Sequence, residues 1–178
     1  MEKEAYHEMI KESYGPAIML LSDGKHSIQD IAKELELAYT TIFYKVKEYE
    51  TKGLLKIDPA KSVGGKSFPI RLVEEIKGEA NTDLKRFNYG EKLLKETINN
   101  PKTLKILIDV LKELSKKRYM NILEYFALID KVSRLKDDNG VSDYLLNELS
   151  THTGIIKHQI ELGKRGKDLL RKHKISSV

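Results

Sequence analysis

Apolar positions in the first third of the chain recur three and four apart, in short runs separated by turn residues. That is the pattern of helices that each bury one face. Ala5, Tyr6, Met9 and Ile10 mark a first helix over 2–14, which Gly15 and Pro16 break and restart. Pro16 suits the first turn of a second helix with its body at 17–21, and Ser22 to Lys25 reads as a turn. Ser27 is a good N-cap, and Asp30 at the third helical position completes a capping box. A third helix is therefore expected to about Glu34, with Ile28, Ile31, Ala32 and Leu35 on its inner face. After a short turn at Glu36 and Leu37, a fourth helix is expected over 38–52. Ile42, Val46 and Tyr49 face inward on it, and Gly53 ends it.

Leu54 to Ile57 then reads as a short strand, 58–67 as a loop holding Pro59, Gly64 and Gly65, and Phe68 to Val73 as a returning strand. Pro69 confines that strand to an edge, and the two strands make a hairpin. From Thr82 the period is helical again. Helices are expected over 83–98, from Pro101 with Asn100 as its cap, over about 117–135, near 142–149 and over 153–172, with a turn at 137–140. Leu104, Leu107, Ile108, Leu111 and Leu114 form a leucine-rich stripe that reads equally as core or as a partner face. Ile122, Leu123, Phe126, Ile129 and Val132 are the apolar positions of the helix after it. The expected fold class is mainly α with a small β-hairpin.

Composition narrows the classes. The 178 residues are 40% hydrophobic and 33% charged, enough to pack a core and too apolar for disorder. No cysteine is present, which removes disulfides, thiolate catalysis and cysteine-ligated metal sites. No apolar run approaches the roughly 18 residues needed to span a bilayer. The polar, charged start of the chain is unlike a secretory signal, so a cytoplasmic location is expected. The formal charge of +5 is uneven: residues 1–75 hold eleven Lys and Arg against thirteen Asp and Glu, and the remainder carries the excess of positive charge. Gly64 to Ser67 spells the end of a phosphate-binding loop, but the required earlier glycine is Ala60 and no helix follows. The histidines His7, His26, His152, His158 and His173 show no metal-ligand spacing on one helix face. No catalytic constellation emerges, so neither enzyme nor cofactor is expected, and nothing designates a small-molecule effector.

Three short helices followed by a hairpin is the order of a winged helix-turn-helix. The stretch SIQDIAKELELAYTTIFYKVKEYETKGLLKI from Ser27 resembles the helix-turn-helix of bacterial and archaeal regulators of the MarR and ArsR type. Ile31 and Ala32 in the second of the three helices carry the resemblance, with Leu35 before the turn and Leu37 after it. Thr41 and Ile42 in the next helix and Gly53 to Leu55 entering the wing complete it. The resemblance implies binding to double-stranded DNA, with the helix at 38–52 in the major groove and base readers at its start. On a helical period the outward residues are Tyr39, Thr40, Phe43, Tyr44 and Lys47, with Thr41 beside them, Lys45 on a flank and Ser27 at the start of the supporting helix. No Arg, Asn or Gln lies there. The strong bidentate pairings to guanine and adenine are thus missing, which leaves hydroxyls, contact with thymine methyls, or readout of DNA shape. Phe43 has an alternative reading as a packing residue. Lys61 and Lys66 in the loop at 58–67, with Lys56 and Arg71 nearby, supply charge for the backbone or minor groove.

On this reading residues 1–80 form the DNA-binding domain and 81–178 a helical dimerisation region, as in many winged-helix regulators, so that the protein is expected to be a homodimeric transcriptional regulator. A competing reading places a second helix-turn-helix at 141–172. At a constant offset, Glu34 and Leu35 match Glu148 and Leu149, Ile42 matches Ile156, and Val46 matches Ile160. Lys157, Lys164, Arg165 and Lys167 would then form a second DNA contact in the basic tail, whose alternative reading is a solvated face. The alternative function is a winged-helix module that binds protein or organises DNA without strong sequence preference.

Overall fold

The computed structural model describes residues 2–71, 77–134, 140–151, 153–157 and 160–173. These residues are mainly helical, with one antiparallel two-stranded hairpin. The chain divides into two units, Met1–Lys85 and Arg86–Val178.

In the first unit, α1 (Glu2–Lys11) is followed by α2 (Gly15–Leu21), α3 (Ile28–Glu34) and α4 (Tyr39–Thr51), then by β1 (Leu55–Val63) and β2 (Lys66–Arg71). α1 is shorter than its apolar spacing suggested. The chain turns through Glu12 to Tyr14, and α2 starts so close that a Cβ on Gly15 would lie 1.9 Å from the Met9 carbonyl oxygen. α3 begins as expected: the Ser27 hydroxyl accepts from the Asp30 N–H, and the Asp30 carboxylate accepts from the Ser27 N–H. Ile28, Ile31, Ile42, Val46 and Tyr49 are fully buried with Tyr6, Met9, Ile18 and Leu55. Each such apolar side chain contributes about 1.5–3 kcal/mol, and together they fix the angle between α3 and α4.

The turn between α3 and α4 closes in a Schellman pattern: the Leu37 N–H donates to Ala32 and the Glu36 N–H to Lys33. Glu36 takes a φ of 54°, a left-handed conformation that normally falls to glycine. α4 ends the same way, with Leu54 donating to Tyr49 and Gly53 to Glu50. The hairpin is longer than expected, because most of 58–67 is strand rather than loop. Val63 pairs with Lys66 across a two-residue turn, and both turn residues, Gly64 and Gly65, have positive φ (60° and 79°) as a primed hairpin turn requires. The register slips between Asp58 and Val63, a stretch that contains Pro59, and Pro69 faces Ile57.

α5 (Lys77–Asn99) carries the chain across the boundary into the second unit, which holds α6 (Pro101–Ser115), α7 (Ile122–Ser133), α8 (Val141–Thr151) and α9 (Lys164–Lys172). Asn100 caps α6 through its side chain, with Pro101 at the first position. The leucine stripe of α6 is core: Leu107, Ile108, Leu111 and Leu114 are buried, packed with Tyr125, Ile129 and Val132 of α7 and Val141, Tyr144 and Leu145 of α8. α7 starts later than expected, at a capping box formed by Asn121 and Glu124, and of its apolar positions Ile122, Leu123 and Phe126 are exposed. The expected turn at 137–140 lies outside the described residues except for Gly140.

The helix expected over 153–172 does not form as such. Gly154, with a φ of 85°, leaves the helical region, and the described residues from Thr153 to Gly163 are non-helical, with Ile156 in an antiparallel bridge to Leu162. α9 begins only at Lys164. A helix-turn-helix over 141–172 therefore lacks its second helix at the matched positions.

Candidate nucleic-acid interface

α4 presents its start to solvent. Tyr39, Thr40 and Tyr44 are exposed, Thr41 and Phe43 are half-buried, and Tyr44 is the most open of the large side chains there at 71%. The rings form a continuous ledge: Tyr39 stacks on Phe43 with centroids 5.9 Å apart, and Phe43 meets Tyr44 edge-on at 5.7 Å. Phe43 thus belongs partly to packing and partly to the surface. The opposite face is held by the turn after α1, because the Tyr49 hydroxyl donates to Glu12 at 2.8 Å, and burial together with Glu12 pushes that phenol far above its ordinary pKa.

The helix lysines are less available than their spacing implied. Lys45 is bound by Glu12 at 2.8 Å and Glu48 at 2.9 Å, and these pairs raise its pKa against the lowering effect of partial burial. Lys47 pairs with Glu50 at 2.8 Å. An exposed pair of this kind is worth about 0–1 kcal/mol, so Lys47 can be drawn to an outside anion, whereas Lys45 has two partners to leave. Ser27 drops out as a surface contact: it is fully buried, and its hydroxyl donates to Asp30 at 2.5 Å while accepting from the Asp30 N–H.

The hairpin supplies exposed cations. Lys61 and Lys66 are both exposed, and the Lys61 ammonium donates to the Gly24 carbonyl at 3.2 Å. Hydrogen bonds from Ser27 hold the Asp30 carboxyl below its usual range, and the charge of Lys66 contributes. Both lysines therefore sit beside the α2–α3 connection and the start of α3. Val63, exposed at the hairpin tip, was not foreseen, although the adjacent Gly64 and Gly65 carry the signal for a tight turn that would display it. The Arg71 side chain lies outside the described residues.

Of the second set of candidate residues, Lys157, Lys164 and Lys167 are exposed and Arg165 is withdrawn from the surface. Arg165 turns inward: its guanidinium is bidentate to Glu91, with Nη2 to Oε2 at 3.0 Å, and also donates to the Thr153 carbonyl at 2.8 Å. Both side chains of this pair are largely buried. Lys157 is paired with Glu161 at 2.5 Å, while Lys164 and Lys167 are exposed on α9. Beside Arg165, Glu148 is fully buried and accepts from the N–H groups of Ile155 and Ile156 at 3.0 Å each, and from Tyr144 and Thr153. With every polar group partnered inside the unit, this cluster reads as a staple for the 153–163 segment.

Among the described residues, no group of three or more His, Asp or Glu is placed to hold a metal ion, and no helix is long and apolar enough to cross a membrane. No family model matches the chain, and neither a curated protein nor a solved structure matches it.

Proposed function

We propose that the first unit is a winged helix-turn-helix of the MarR and ArsR kind and that the protein is a cytoplasmic, DNA-binding regulator of transcription that acts as a homodimer. One observation carries the reading: α2, α3 and α4 are followed directly by a hairpin, and the start of α4 and the hairpin lysines Lys61 and Lys66 are open to solvent. In this geometry α3 props α4 in the major groove and the hairpin lies on the adjacent backbone. The unit's slight acidity is answered locally, since the acids near α4 are engaged with Lys45 and Lys47. The second unit pairs the copies, and the exposed Tyr119 before α7 and Ile122, Leu123 and Phe126 at its start support that role.

Replacing Lys61 and Lys66 together by Ala is expected to weaken binding to random duplex and to flatten its dependence on salt by about two counterions. Fluorescence anisotropy across a salt series measures both, and unchanged affinity and slope would remove the hairpin from the interface. A second reading, a winged-helix protein-interaction module, is favoured by the aromatic ledge on α4 and the neutralised helix lysines. Absence of any duplex binding at micromolar protein and low salt would select it.

A further inference from the structure

We infer that the ledge formed by Tyr39, Phe43 and Tyr44 selects thymine in the major groove by apolar contact with its C5 methyl group, an inference that rests on the DNA-binding reading above. The four base-pair orientations differ there in what they ask of a side chain. Guanine offers two acceptors and calls for Arg or Lys; adenine calls for Asn or Gln; cytosine offers a donor; thymine alone adds a methyl. Between Glu36 and Tyr44 the chain has no Arg, Lys, Asn or Gln. Of the two lysines that follow, Lys45 is held by Glu12 and Glu48, and Lys47, paired with Glu50, is left to meet a phosphate. The hydroxyls of Thr40 and Thr41 bond equally well to a phosphate or to any polar base edge, so they do not discriminate. The rings do, because they present a hydrophobic surface where the other bases present polar groups.

The ledge is also ordered before contact. Tyr39 and Phe43 lie one helical turn apart with ring planes only 24° off parallel, and Tyr44 abuts the edge of Phe43. Stacked rings of this kind lose little rotamer freedom on binding. The occupant is a nucleic acid rather than a second apolar surface because Lys61 and Lys66 of the same unit stand exposed to meet phosphates.

The test separates the methyl from everything else that distinguishes bases. Selection of bound sequences from a random duplex library by the purified protein is expected to enrich A·T pairs. Within a selected site, exchanging thymine for uracil removes only the methyl and is expected to weaken binding about fourfold for each methyl contacted. At the same position, 5-methylcytosine in place of cytosine restores a methyl and is expected to strengthen binding by a similar factor. Tyr44→Ala, a change at a largely exposed side chain, is expected to abolish this methyl dependence and to weaken binding to the selected site. Duplex binding with uracil equal to thymine and 5-methylcytosine equal to cytosine would overturn the inference and leave the DNA-binding reading standing. No duplex binding at all would overturn both.

Discussion

Residues 27–46 and 141–160 share an apolar spacing and fold in different ways. In the first segment the acid at the matched position, Glu34, is exposed, the chain turns through Glu36, and α4 follows as one straight helix. In the second, Glu148 is fully buried, and its carboxylate gathers the N–H groups of Ile155 and Ile156 that a continued helix would have placed in its own ladder. Gly154 supplies the left-handed bend that brings them there. The difference shows that apolar spacing marks which residues go inside, whereas the polar groups decide whether the chain between them stays helical. It also separates charge from accessibility. The basic second unit turns Arg165 inward to Glu91, while the slightly acidic first unit keeps its hairpin lysines outside.

The largest expected effect comes from removing the buried acid. Glu148→Ala leaves two backbone donors and two hydroxyls without their acceptor. Each such buried group costs about 1–3 kcal/mol, and partial relaxation brings the total to about 3–5 kcal/mol in urea unfolding. The counterpart Glu34→Ala is expected to change stability by no more than about 0.5 kcal/mol. Equal effects at the two positions would erase the contrast between the segments.

The next effect is one of pH. Burial pushes the Glu148 carboxyl up to about 7, against the hydrogen bonds from Thr153, Ile156 and Tyr144 and the charge of Arg165. The phenols of Tyr125 and Tyr144 are themselves pushed up by burial and do not titrate in this range. An acid at the ordinary 4.5 when unfolded and about 7 when folded is neutral in both states at low pH and ionised in both at high pH. Its contribution to stability is therefore fully present below 4.5 and lost as pH rises through 7. Between about pH 5 and about pH 8 the native protein is expected to lose about 2–3 kcal/mol more than the Glu148→Gln variant. Parallel pH profiles for the two proteins would show that Glu148 does not titrate as stated.

The smallest effect lies in the turn of the first segment. Glu36→Gly relieves a side chain from the left-handed region and is expected to raise stability by up to about 1 kcal/mol in thermal unfolding. A loss instead would mean that Glu36 is held there by contacts worth more than its strain.

What could be read in advance was mostly local. The Ser27–Asp30 box, the stop at Gly53 and the Asn100–Pro101 start depend on residues within a few positions of one another. The hairpin length was misjudged because Gly64 and Gly65 look like a loop until Val63 and Lys66 are paired across them. The pairing of Lys45 was not legible, because one of its partners, Glu12, lies in the turn after α1, 33 positions away. Arg165 was beyond reach of any spacing rule, since Glu91 stands 74 positions away. The exposed aromatic start of α4 followed from the helical period alone, because residues there face away from the α3 contact.

The proposed DNA-binding surface is tested most directly by mapping which residues respond to duplex DNA. A titration of isotope-labelled protein with a short random duplex at low salt, followed by amide chemical shifts, locates that surface. Shifts concentrated at 38–47 and 61–66 are the expected result. Shifts confined to the basic segment at 157–172, or none at saturating duplex, would contradict it.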